Sequence, residues 1–535
     1  MSVKITVGVL GFGFLLAACG GSEGSTGDGG RGGSSGSAGA AAGKGGTAGG
    51  GRGGSGGSGT AGENGEAGAE SASGGADSNA GAGGGDDDAG ASGAASAGAA
   101  GTSAGAGGAS GSNGGGDVNG PLDWTPPENG VVVVPSGDEF NSTPPVLAST
   151  AAGIVIAGAT SDVELAGVPM FETGIQAEAF VAELDFDGEK LWSVALPDAG
   201  LPSAVAVDAA GNIVVLAAFL PDSPSLFPGQ YGNSAYLAKI SPAGDVLYER
   251  ELAFGQGTML QALALDPAGA IYVGGSQRPD DDFPNEYVFI GKYDAQGEEL
   301  WTNVFQHEGS TAYVAAMTLE PGGDAVVAGT FNGSMNLGGE ALVSDAIDGS
   351  SMLPNGFYAR FTPEGDHVYS DRFGGTIFDG GSALLALSDG DILLGGFLSG
   401  LASVGGQSTN ADVADGSAFL ARLDPTGQAR FVALAGVGMT HAIVKDADES
   451  NFYVTGDLGG SDYLTEFSAD GSPGDSASVS AGALITHSAT VDALGSVWIA
   501  ASSMDQLDFG NGNALTGGPA GTYVVRLDRA PAGDL

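Results

Sequence analysis

Two histidines are the residues whose type and spacing come closest to supporting chemistry. The segments "MTHAIVKD" and "ITHSATVD" place His441 and His487 each five residues before an aspartate of a repeated strand motif. Two neutral imidazoles on neighbouring repeats can share a metal ion or a substrate proton, because histidine is both a ligand and a base. No carboxylate accompanies them at this position, so the competing interpretation is a hydrogen-bonded pair with no metal and no cofactor.

The same position recurs in the other copies of the motif and is expected to form a ring at one mouth of a central channel. The matching residues are Ser203, Gln261 and Ala315, with Pro145 and Ala383 aligned less closely. His307 and His367 have no such counterpart. Because no phosphate-binding glycine loop, helical histidine pair or nucleophile elbow occurs either, catalysis is the alternative rather than the leading hypothesis.

Acidic residues cluster near several turns without the spacing of a calcium loop. The groups Asp280 to Asp282 and Asp389 to Asp391 lack the alternating ligands and the terminal glutamate of an EF-hand, so we interpret them as solvated turns. The aspartates that precede turns are expected to accept hydrogen bonds from their own backbone. They are Asp185, Asp294, Asp424 and Asp528.

A strand repeat fills the second part of the chain and would have to position the two histidines. Copies of "AFVAELDFDGEKLW" align on a turn glycine at Gly188, Gly244, Gly297, Gly365, Gly427 and Gly471. Four residues after each glycine stand Trp192, Tyr248, Trp301, Tyr369 and Phe431, and then Asp475 in the sixth copy. Apolar runs on both sides of a glycine near Asp, Pro or Asn are typical of a hairpin.

A second hairpin, such as "AVDAAGNIVVLAAF", alternates with the first and occurs seven times. The combined unit is four short strands in roughly 45 to 68 residues, which predicts an all-β, seven-bladed β-propeller of four-stranded antiparallel blades over 121–535. The last unit lacks its outer strand, so we predict that Val131 to Val134 closes the last blade. Because the sixth unit is degenerate, six blades plus an irregular hairpin is the alternative.

The first part of the chain has the composition of a disordered linker. From Gly20 to Asp117 it contains no Val, Ile, Leu, Phe or Trp, so it has nothing to bury, and we assign 19–120 to a Gly/Ala/Ser linker. The whole chain has 64 acidic and 16 basic residues, a net charge of −48. This charge excludes nucleic acid and anionic headgroups as partners.

The N-terminus resembles that of bacterial lipoproteins. A short apolar run ends in Leu16-Ala17-Ala18-Cys19, which is similar to a lipobox, and Cys19 is the only cysteine. The resemblance implies that the signal peptide 1–18 is removed, that Cys19 carries lipid including palmitate, and that the protein is anchored in the bacterial cell envelope. Gly20 in place of Asp implies the outer membrane. A plain secretory signal with an incidental cysteine is the alternative.

The repeats resemble the bacterial seven-bladed propeller repeats of the SBBP-like family over about four-fifths of the chain. That resemblance implies a scaffold and transfers no activity. The leading hypothesis is a monomeric, surface-tethered binding or scaffold protein with a protein or glycan ligand on its loops. The insertions Phe331 to Gly356 and Phe397 to Ser417 are the expected binding loops. The alternatives are an extracytoplasmic lyase or hydrolase at the channel mouth and a purely structural envelope protein.

Overall fold

The computed structural model describes residues 131–134, 145–160, 164–165, 168–169, 178–219, 232–277, 286–347, 351–375, 377–413, 416–457, 462–479, 484–503 and 521–528. The predicted signal peptide, Cys19 and the predicted linker lie outside these residues. All regular structure within them is β-strand. No helix there has the length and apolar character needed to cross a membrane.

The strands follow one another in chain order with short connections. The first twelve are β1 Val131–Val134, β2 Val146–Ser149, β3 Gly153–Thr160, β4 Glu164–Leu165, β5 Val168–Pro169, β6 Glu178–Asp185, β7 Lys190–Leu196, β8 Ala199–Val207, β9 Ile213–Phe219, β10 Gly232–Ile240, β11 Val246–Leu265 and β12 Ile271–Gln277. The next twelve are β13 Tyr287–Tyr293, β14 Glu299–Phe305, β15 His307–Glu308, β16 Ala312–Leu319, β17 Ala325–Phe331, β18 Ser334–Met335, β19 Leu342–Val343, β20 Ala346–Ile347, β21 Ser351–Met352, β22 Asn355–Phe361, β23 His367–Gly375 and β24 Gly380–Ala386. The last twelve are β25 Ile392–Leu398, β26 Leu401–Val404, β27 Gln407–Asn410, β28 Ser417–Leu423, β29 Ala429–Val437, β30 Met439–Lys445, β31 Asn451–Asp457, β32 Asp462–Ser468, β33 Pro473–Val479, β34 Leu484–Val491, β35 Val497–Ser503 and β36 Gly521–Leu527.

Antiparallel pairing groups these strands into four-stranded blades. In chain order the blades are β2-β3-β6-β7, β8-β9-β10-β11, β11-β12-β13-β14, β16-β17-β22-β23, β24-β25-β28-β29, β30-β31-β32-β33 and β34-β35-β36-β1. The long strand β11 serves two blades, since its first part pairs with β10 and its last part with β12. The degenerate sixth repeat therefore forms a regular four-stranded sheet.

The first strands of the blades form a closed ring. The inner strands contact one another in the order β2, β8, β11, β16, β24, β30 and β34, and β34 contacts β2 again. The Leu147 amide of the first inner strand donates to the Ser488 hydroxyl of the last at 3.0 Å. The strand Val131–Val134 pairs with β36 at the position where the sequence predicts the closing strand. This arrangement of blades is a β-propeller.

The predicted count of seven blades is one too low, because the structure contains an eighth blade-like sheet. When β11 is divided between its two blades, the described strands form eight sheets of three or more strands. The additional sheet joins β15, β18 and β19 and lies outside the ring of inner strands. It exists because part of the insertion after β17 folds back and pairs with the segment that follows β14, which the repeat pattern does not reveal.

The core lies between adjacent blades rather than inside one of them. Middle strands such as β17 and β28 are buried on both faces, as their continuous apolar runs predict. One apolar cluster joins Val155 and Val181 of the first blade to Ile213 and Tyr236 of the second. A single blade is one sheet thick, so it buries its faces only against its neighbours.

Antiparallel pairing divides the molecule into two faces with different chemistry. Tight turns join the first strand of a blade to the second and the third to the fourth, so both turns lie at the same end, here called the turn face. In the turn after β8, Asp208 N donates to Asn212 O at 2.8 Å, and Gly211 N donates to Asp208 O at 2.9 Å. Gly211 has φ +81°, which favours glycine. The insertions and the starts of the inner strands lie at the opposite end, the loop face.

The five repeated aromatic residues bind their blades to the turn of the next one. A Cβ atom on Gly244 would lie 2.8 Å from the Trp192 ring, and one on Gly365 would lie 3.1 Å from the Trp301 ring. The Trp301 indole also donates to Pro363 O of that turn at 3.1 Å. The sequence pattern of a glycine followed by an aromatic four residues later thus records a contact between two different blades.

A basic residue on the third strand makes a second bond to the next turn. Arg360 pairs with Glu320 at 2.7 Å and Asp324 at 2.8 Å in its own blade and donates to Pro425 O of the following blade at 2.8 Å. Arg526 of the last blade donates to Phe186 O of the first. The ring therefore closes through the same interaction that joins its interior blades.

We expect Trp301→Ala to lower the free energy of unfolding by about 3 kcal/mol, because it removes a partly buried ring packed on the next blade. Trp301→Phe keeps the ring contact and loses the hydrogen bond, so its cost should be about 1 kcal/mol. Urea unfolding measures both values. Leu300→Ala is the control, since Leu300 is 55% exposed and its loss should cost about 0.5 kcal/mol or less. Equal costs for Trp301→Ala and Leu300→Ala would contradict this account of blade docking.

Candidate functional site

The predicted channel-mouth residues lie at a β-bulge that recurs at the start of the inner strands. Ser203, Gln261, Ala315, His441 and His487 are each the extra residue between two paired neighbours. A bulge places two residues opposite one and redirects the side chain of the extra residue. The spacing of five residues before the turn aspartate therefore identifies one structural position at the loop face.

The two less closely aligned residues, Ala383 and Pro145, are not bulge residues in the described pairing. In the fifth blade the bulge falls between Gly381 and Ala383, so Ser382 and not Ala383 holds the position. The first inner strand pairs from Val146 onward without a register shift, and Pro145 is no bulge residue in the described pairing. In the fifth blade the turn begins with Leu387 instead of an aspartate. The sequence alignment, which relied on that aspartate, was therefore displaced by one residue.

The polar side chains at this bulge position differ in whether they make hydrogen bonds. The Ser203 hydroxyl donates to Leu216 O at 3.3 Å, and the Ser382 hydroxyl donates to Thr440 O. The Gln261 side-chain oxygen is buried and accepts no hydrogen bond from the described residues. His441 is half-buried. The backbone of His487 belongs to β34, but its side chain lies outside the described part of the chain.

A shared metal or proton between His441 and His487 consequently stays a prediction. No group of three or more His, Cys, Asp or Glu side chains among the described residues is arranged to hold a metal ion. Asp280 to Asp282 lie outside those residues.

The sequence contained a signal for the bulges that the repeat alignment missed. Glycines on the second strand stand opposite the bulge, where a Cβ atom would collide with the main chain. A Cβ on Gly275, Gly329 or Gly396 would lie about 2 Å from a carbonyl oxygen of the inner strand, at 2.0, 1.9 and 2.0 Å respectively. The glycine in "IYVGGSQ", "AVVAGTF" and "ILLGGFL" is therefore required by the close approach of the bulged strand.

The acidic turns behave differently from one another. Asp185, Asp294 and Asp424 each accept a hydrogen bond from the backbone amide two residues further along the same turn, as predicted. Asp391 is buried and bound by Arg422 Nε at 2.6 Å and Arg430 Nη2 at 2.9 Å, so the expectation of a solvated turn is wrong there. Burial acts to raise the pKa of Asp391, but the two guanidinium groups outweigh it and hold the pKa below its usual value.

Asp528 also differs from the prediction for acidic turns. Its carboxylate accepts hydrogen bonds from Arg526 and from the Ser496 hydroxyl. In the last blade this carboxylate therefore orients the guanidinium that closes the ring.

The insertion Phe397 to Ser417 was predicted to bind a ligand, but most of its described part is packed as structure. Strands β26 and β27 form a hairpin that lies between the outer strands of the fourth and fifth blades. Val404 and Ala411 of this hairpin are buried in the core. Gln407 donates to Ala429 O at 2.7 Å and anchors the hairpin on the fifth blade.

The insertion Phe331 to Gly356 contains an equivalent hairpin. Its strand β18 pairs with β19 on one side and with β15 on the other, and Leu337 is fully buried. The glycines of "NLGG" pack on the His367 ring, which a Cβ on Gly339 would approach to 2.5 Å. Burial lowers the pKa of His367. Both insertions therefore fill grooves between blades, and only their loop-face ends are free to bind.

Apolar side chains are exposed together at one place on the loop face, here called the apolar patch. It consists of Ile377, Phe378, Leu401 and Val413. Leu401 is 72% exposed, Val413 65% and Phe378 39%. A Cβ on Gly400, the residue before Leu401, would contact Ile377 at 3.4 Å and Val413 at 3.8 Å, so Ile377 and Val413 lie beside this part of the chain. Exposed apolar groups that cluster on a soluble surface mark an interaction site.

A buried carboxylate holds the segments that carry the apolar patch. Asp379 follows Phe378 and is completely buried. It accepts the amides of Gly375 at 2.8 Å and Ser399 at 2.9 Å and the side-chain amide of Asn355 at 3.3 Å. Burial raises the pKa of Asp379 to about 6, although these hydrogen bonds oppose the rise. The carboxylate therefore ties Phe378 and the start of the β26–β27 hairpin to the rigid blades.

Comparisons with known proteins give only remote similarity. No protein-family model matches the chain, and no curated protein is significantly similar to it. A protein of unknown function from Bacteroides caccae shares 14% identity over 57% of this chain and 90% of its own, with a TM-score of 0.32. The Pan2 WD40 domain of Neurospora crassa shares 11% identity over 78% of this chain and 98% of its own, with a TM-score of 0.44. Hydrazine synthase of Kuenenia stuttgartiensis shares 13% identity over 58% of this chain and 77% of its own, with a TM-score of 0.35. Similarities this low leave the fold to be established by the strand pairing itself.

We expect the carboxyl of Asp379 to make stability fall as the pH rises. Its pKa is about 6 in the folded protein and about 3.9 in an unfolded chain, so the folded state holds the extra proton between these values. The free energy of unfolding should fall by about 2 kcal/mol from pH 4 to pH 7 relative to Asp379→Asn, measured by urea unfolding.

The control for this pH series is Asp424→Asn, because the Thr426 hydroxyl and backbone amides lower the pKa of Asp424. The difference in the free energy of unfolding between the wild type and Asp424→Asn should show no such fall between pH 4 and pH 7. A difference between the wild type and Asp379→Asn that stays constant or grows with pH would contradict the burial of an ionisable carboxyl at this position.

Proposed function

We propose that the protein is a lipid-anchored binding or scaffold protein of the bacterial envelope that captures a protein partner on its loop face. The observation that carries the proposal is the apolar patch. Leu401 and Val413 project from a rigid, hydrogen-bonded base into solvent. A propeller supplies no activity of its own, and function on such a scaffold resides in the sites built on it.

The chemistry of the apolar patch favours a protein over a glycan. Three of its four side chains are aliphatic, and only Phe378 offers an aromatic face. Sugars need an aromatic platform with converging polar groups, whereas aliphatic side chains bury well against another protein. The net charge of −48 favours a partner that is not acidic.

The position of the closing strand is consistent with a presenting role. Val131 pairs with Val525, and Val134 pairs with Thr522. Because β36 runs from the loop face towards the turn face, the chain enters the propeller from the side of the turn face. The chain therefore enters the propeller at the face opposite the loop face. We further propose, from the lipobox-like segment before Cys19 and the repeat pattern, that the protein is tethered through Cys19 and is a lipoprotein of the SBBP-like repeat type.

We expect the double variant Leu401→Ser, Val413→Ser to bind the envelope partner at least tenfold more weakly than the wild type. Each buried aliphatic side chain contributes roughly 1.5–3 kcal/mol, and 1.4 kcal/mol is tenfold in affinity. Binding of the purified protein to the isolated envelope fraction measures the effect. Leu247→Ser is the matched control, since Leu247 is 53% exposed on an outer strand. Equal losses in both variants would refute a site on the apolar patch, and competition by free glycans alone would favour a sugar ligand.

Anchoring should depend on Cys19. Fractionation of cells is expected to place the wild type with the membranes and Cys19→Ser in the soluble fraction, because only the former carries acyl chains. Mass spectrometry of the mature N-terminus checks the lipid directly. Gly20→Asp is the control, expected to retain lipid and to change the membrane in which the protein is found. Membrane association of Cys19→Ser equal to that of the wild type would overturn the anchor.

A further inference from the structure

The lysines and arginines of the described residues lie almost entirely at the turn face. Lys239, for example, binds Asp208 in the turn after β8 at 2.9 Å. The other bases in or beside turns are Lys190, Arg250, Lys292, Arg360, Arg422, Arg430, Lys445 and Arg526. Arg372 is the exception, and it pairs with Asp345 of an insertion at 2.7 Å. The described part of the loop face therefore has no uncompensated lysine or arginine.

Two carboxylates lie at the apolar patch. Asp379 follows Phe378, and its hydrogen-bond donors are two backbone amides and the Asn355 side chain, all of them neutral. Because its pKa is about 6, this buried carboxylate is ionised at pH 7. Asp412 precedes Val413 and is exposed. A charge in a poorly solvated site acts more strongly on its surroundings than one in bulk water. The apolar patch is therefore in a negative field.

An open cleft adjoins the apolar patch at Val413. It is lined by Asn410, Ala411, Asp412 and Val413. The main chain fixes this segment, because Ala411 N donates to Gly400 O at 2.8 Å and Asp412 N donates to the Ser417 hydroxyl at 3.0 Å. Carboxylate and amide oxygens accept hydrogen bonds from a lysine ammonium or an arginine guanidinium. The cleft thus combines an apolar wall with groups suited to a cation.

We infer, on the basis of the proposed function, that the protein partner of the apolar patch carries a lysine or arginine beside its apolar anchor. The anchor covers Leu401 and Val413, and the cation lies in the cleft at Asp412, within the field of Asp379. Phe378 suits the same partner, because its ring is held edge to face by a second aromatic ring at 5.7 Å. A fixed, exposed ring attracts a cation over its face.

The apolar anchor and the cation have different roles in this site. Burial of the aliphatic side chains supplies most of the affinity, whereas the charge determines which partner is accepted and in which orientation. A partner with a glutamate in place of the cation would bring a third carboxylate to Asp379 and Asp412. Repulsion of this kind is a means by which a site rejects wrong partners. The partner is therefore a basic, apolar protein segment.

The test uses the full chain and two synthetic helical peptides that share one row of leucines. Lysines flank the leucines in one peptide, and glutamates flank them in the other. Calorimetric titration is expected to show that the lysine peptide binds the wild type at least tenfold more tightly, with a difference that shrinks as salt is added. The double variant Leu401→Ser, Val413→Ser should bind the lysine peptide at least tenfold more weakly than the wild type.

Asp412→Asn should bind the lysine peptide about fivefold more weakly, which is the upper end for an exposed ion pair. The substitution keeps the main-chain hydrogen bonds that hold this segment. Asp198→Asn is the matched control, since Asp198 is an exposed loop-face residue between β7 and β8 and its loss changes the net charge equally. It should leave the affinity unchanged. Equal weakening by both variants would show attraction by net charge alone and would overturn the inference.

Equal affinity for the two peptides, or no binding of either, would also overturn the inference. So would a lysine peptide that binds Leu401→Ser, Val413→Ser as tightly as the wild type, because the contact would then lie outside the apolar patch. Binding of the same double variant to the envelope fraction decides the proposed function separately, since that measurement does not depend on the charge of a peptide.

Discussion

The blades of this propeller are held by bonds to the turn of the next blade, in every copy except the sixth, which has Glu466 and Asp475 at the two positions. A blade is a single sheet with two apolar faces, and it cannot bury them alone. The aromatic residue on the fourth strand and the basic residue on the third strand both reach the following turn, as Trp301 and Lys292 do at Pro363 O. Because the interaction recurs around most of the ring and includes Arg526 at Phe186, the contacts that join the blades lie at the turn face, and the opposite face is free to vary.

That division assigns structure to one face and recognition to the other. Antiparallel pairing places all insertions at the loop face, where they lengthen without disturbing the contacts at the turn face. The two long insertions use most of their described length to fill grooves, with Val404 and Leu337 buried. What remains exposed is a small group of apolar side chains on a base fixed by Asp379. A rigid base that carries a few exposed anchors is the arrangement expected of a binding surface.

The sequence predicts the regular parts of the molecule well. Alternating hairpins with a glycine and an aromatic in fixed register identify the propeller, and the strand Val131–Val134 occupies the predicted place beside β36. The five-residue spacing before the turn aspartate places Ser203, Gln261 and His441 at equivalent bulges. These features are local or periodic, and local hydrogen bonding determines them.

The remaining features depend on contacts between residues far apart in the chain, which periodicity does not reveal. The extra sheet arises because Met335 pairs with His307. Asp391 is buried because Arg422 and Arg430 reach it from two later strands. The apolar patch forms because Phe378 and Leu401 are brought together through Asp379. For the same reason, spacing alone does not determine whether the side chains of His441 and His487 meet.

The most direct test of the division between faces is site-specific photo-crosslinking in the envelope. A photoreactive phenylalanine at Val413 reports on the loop face, and one at Glu364, on the turn between β22 and β23, reports on the turn face. The account predicts one discrete crosslinked product from position 413 and none from position 364. Crosslinks from position 364 alone, or equal yields from both positions, would contradict recognition by the loop face.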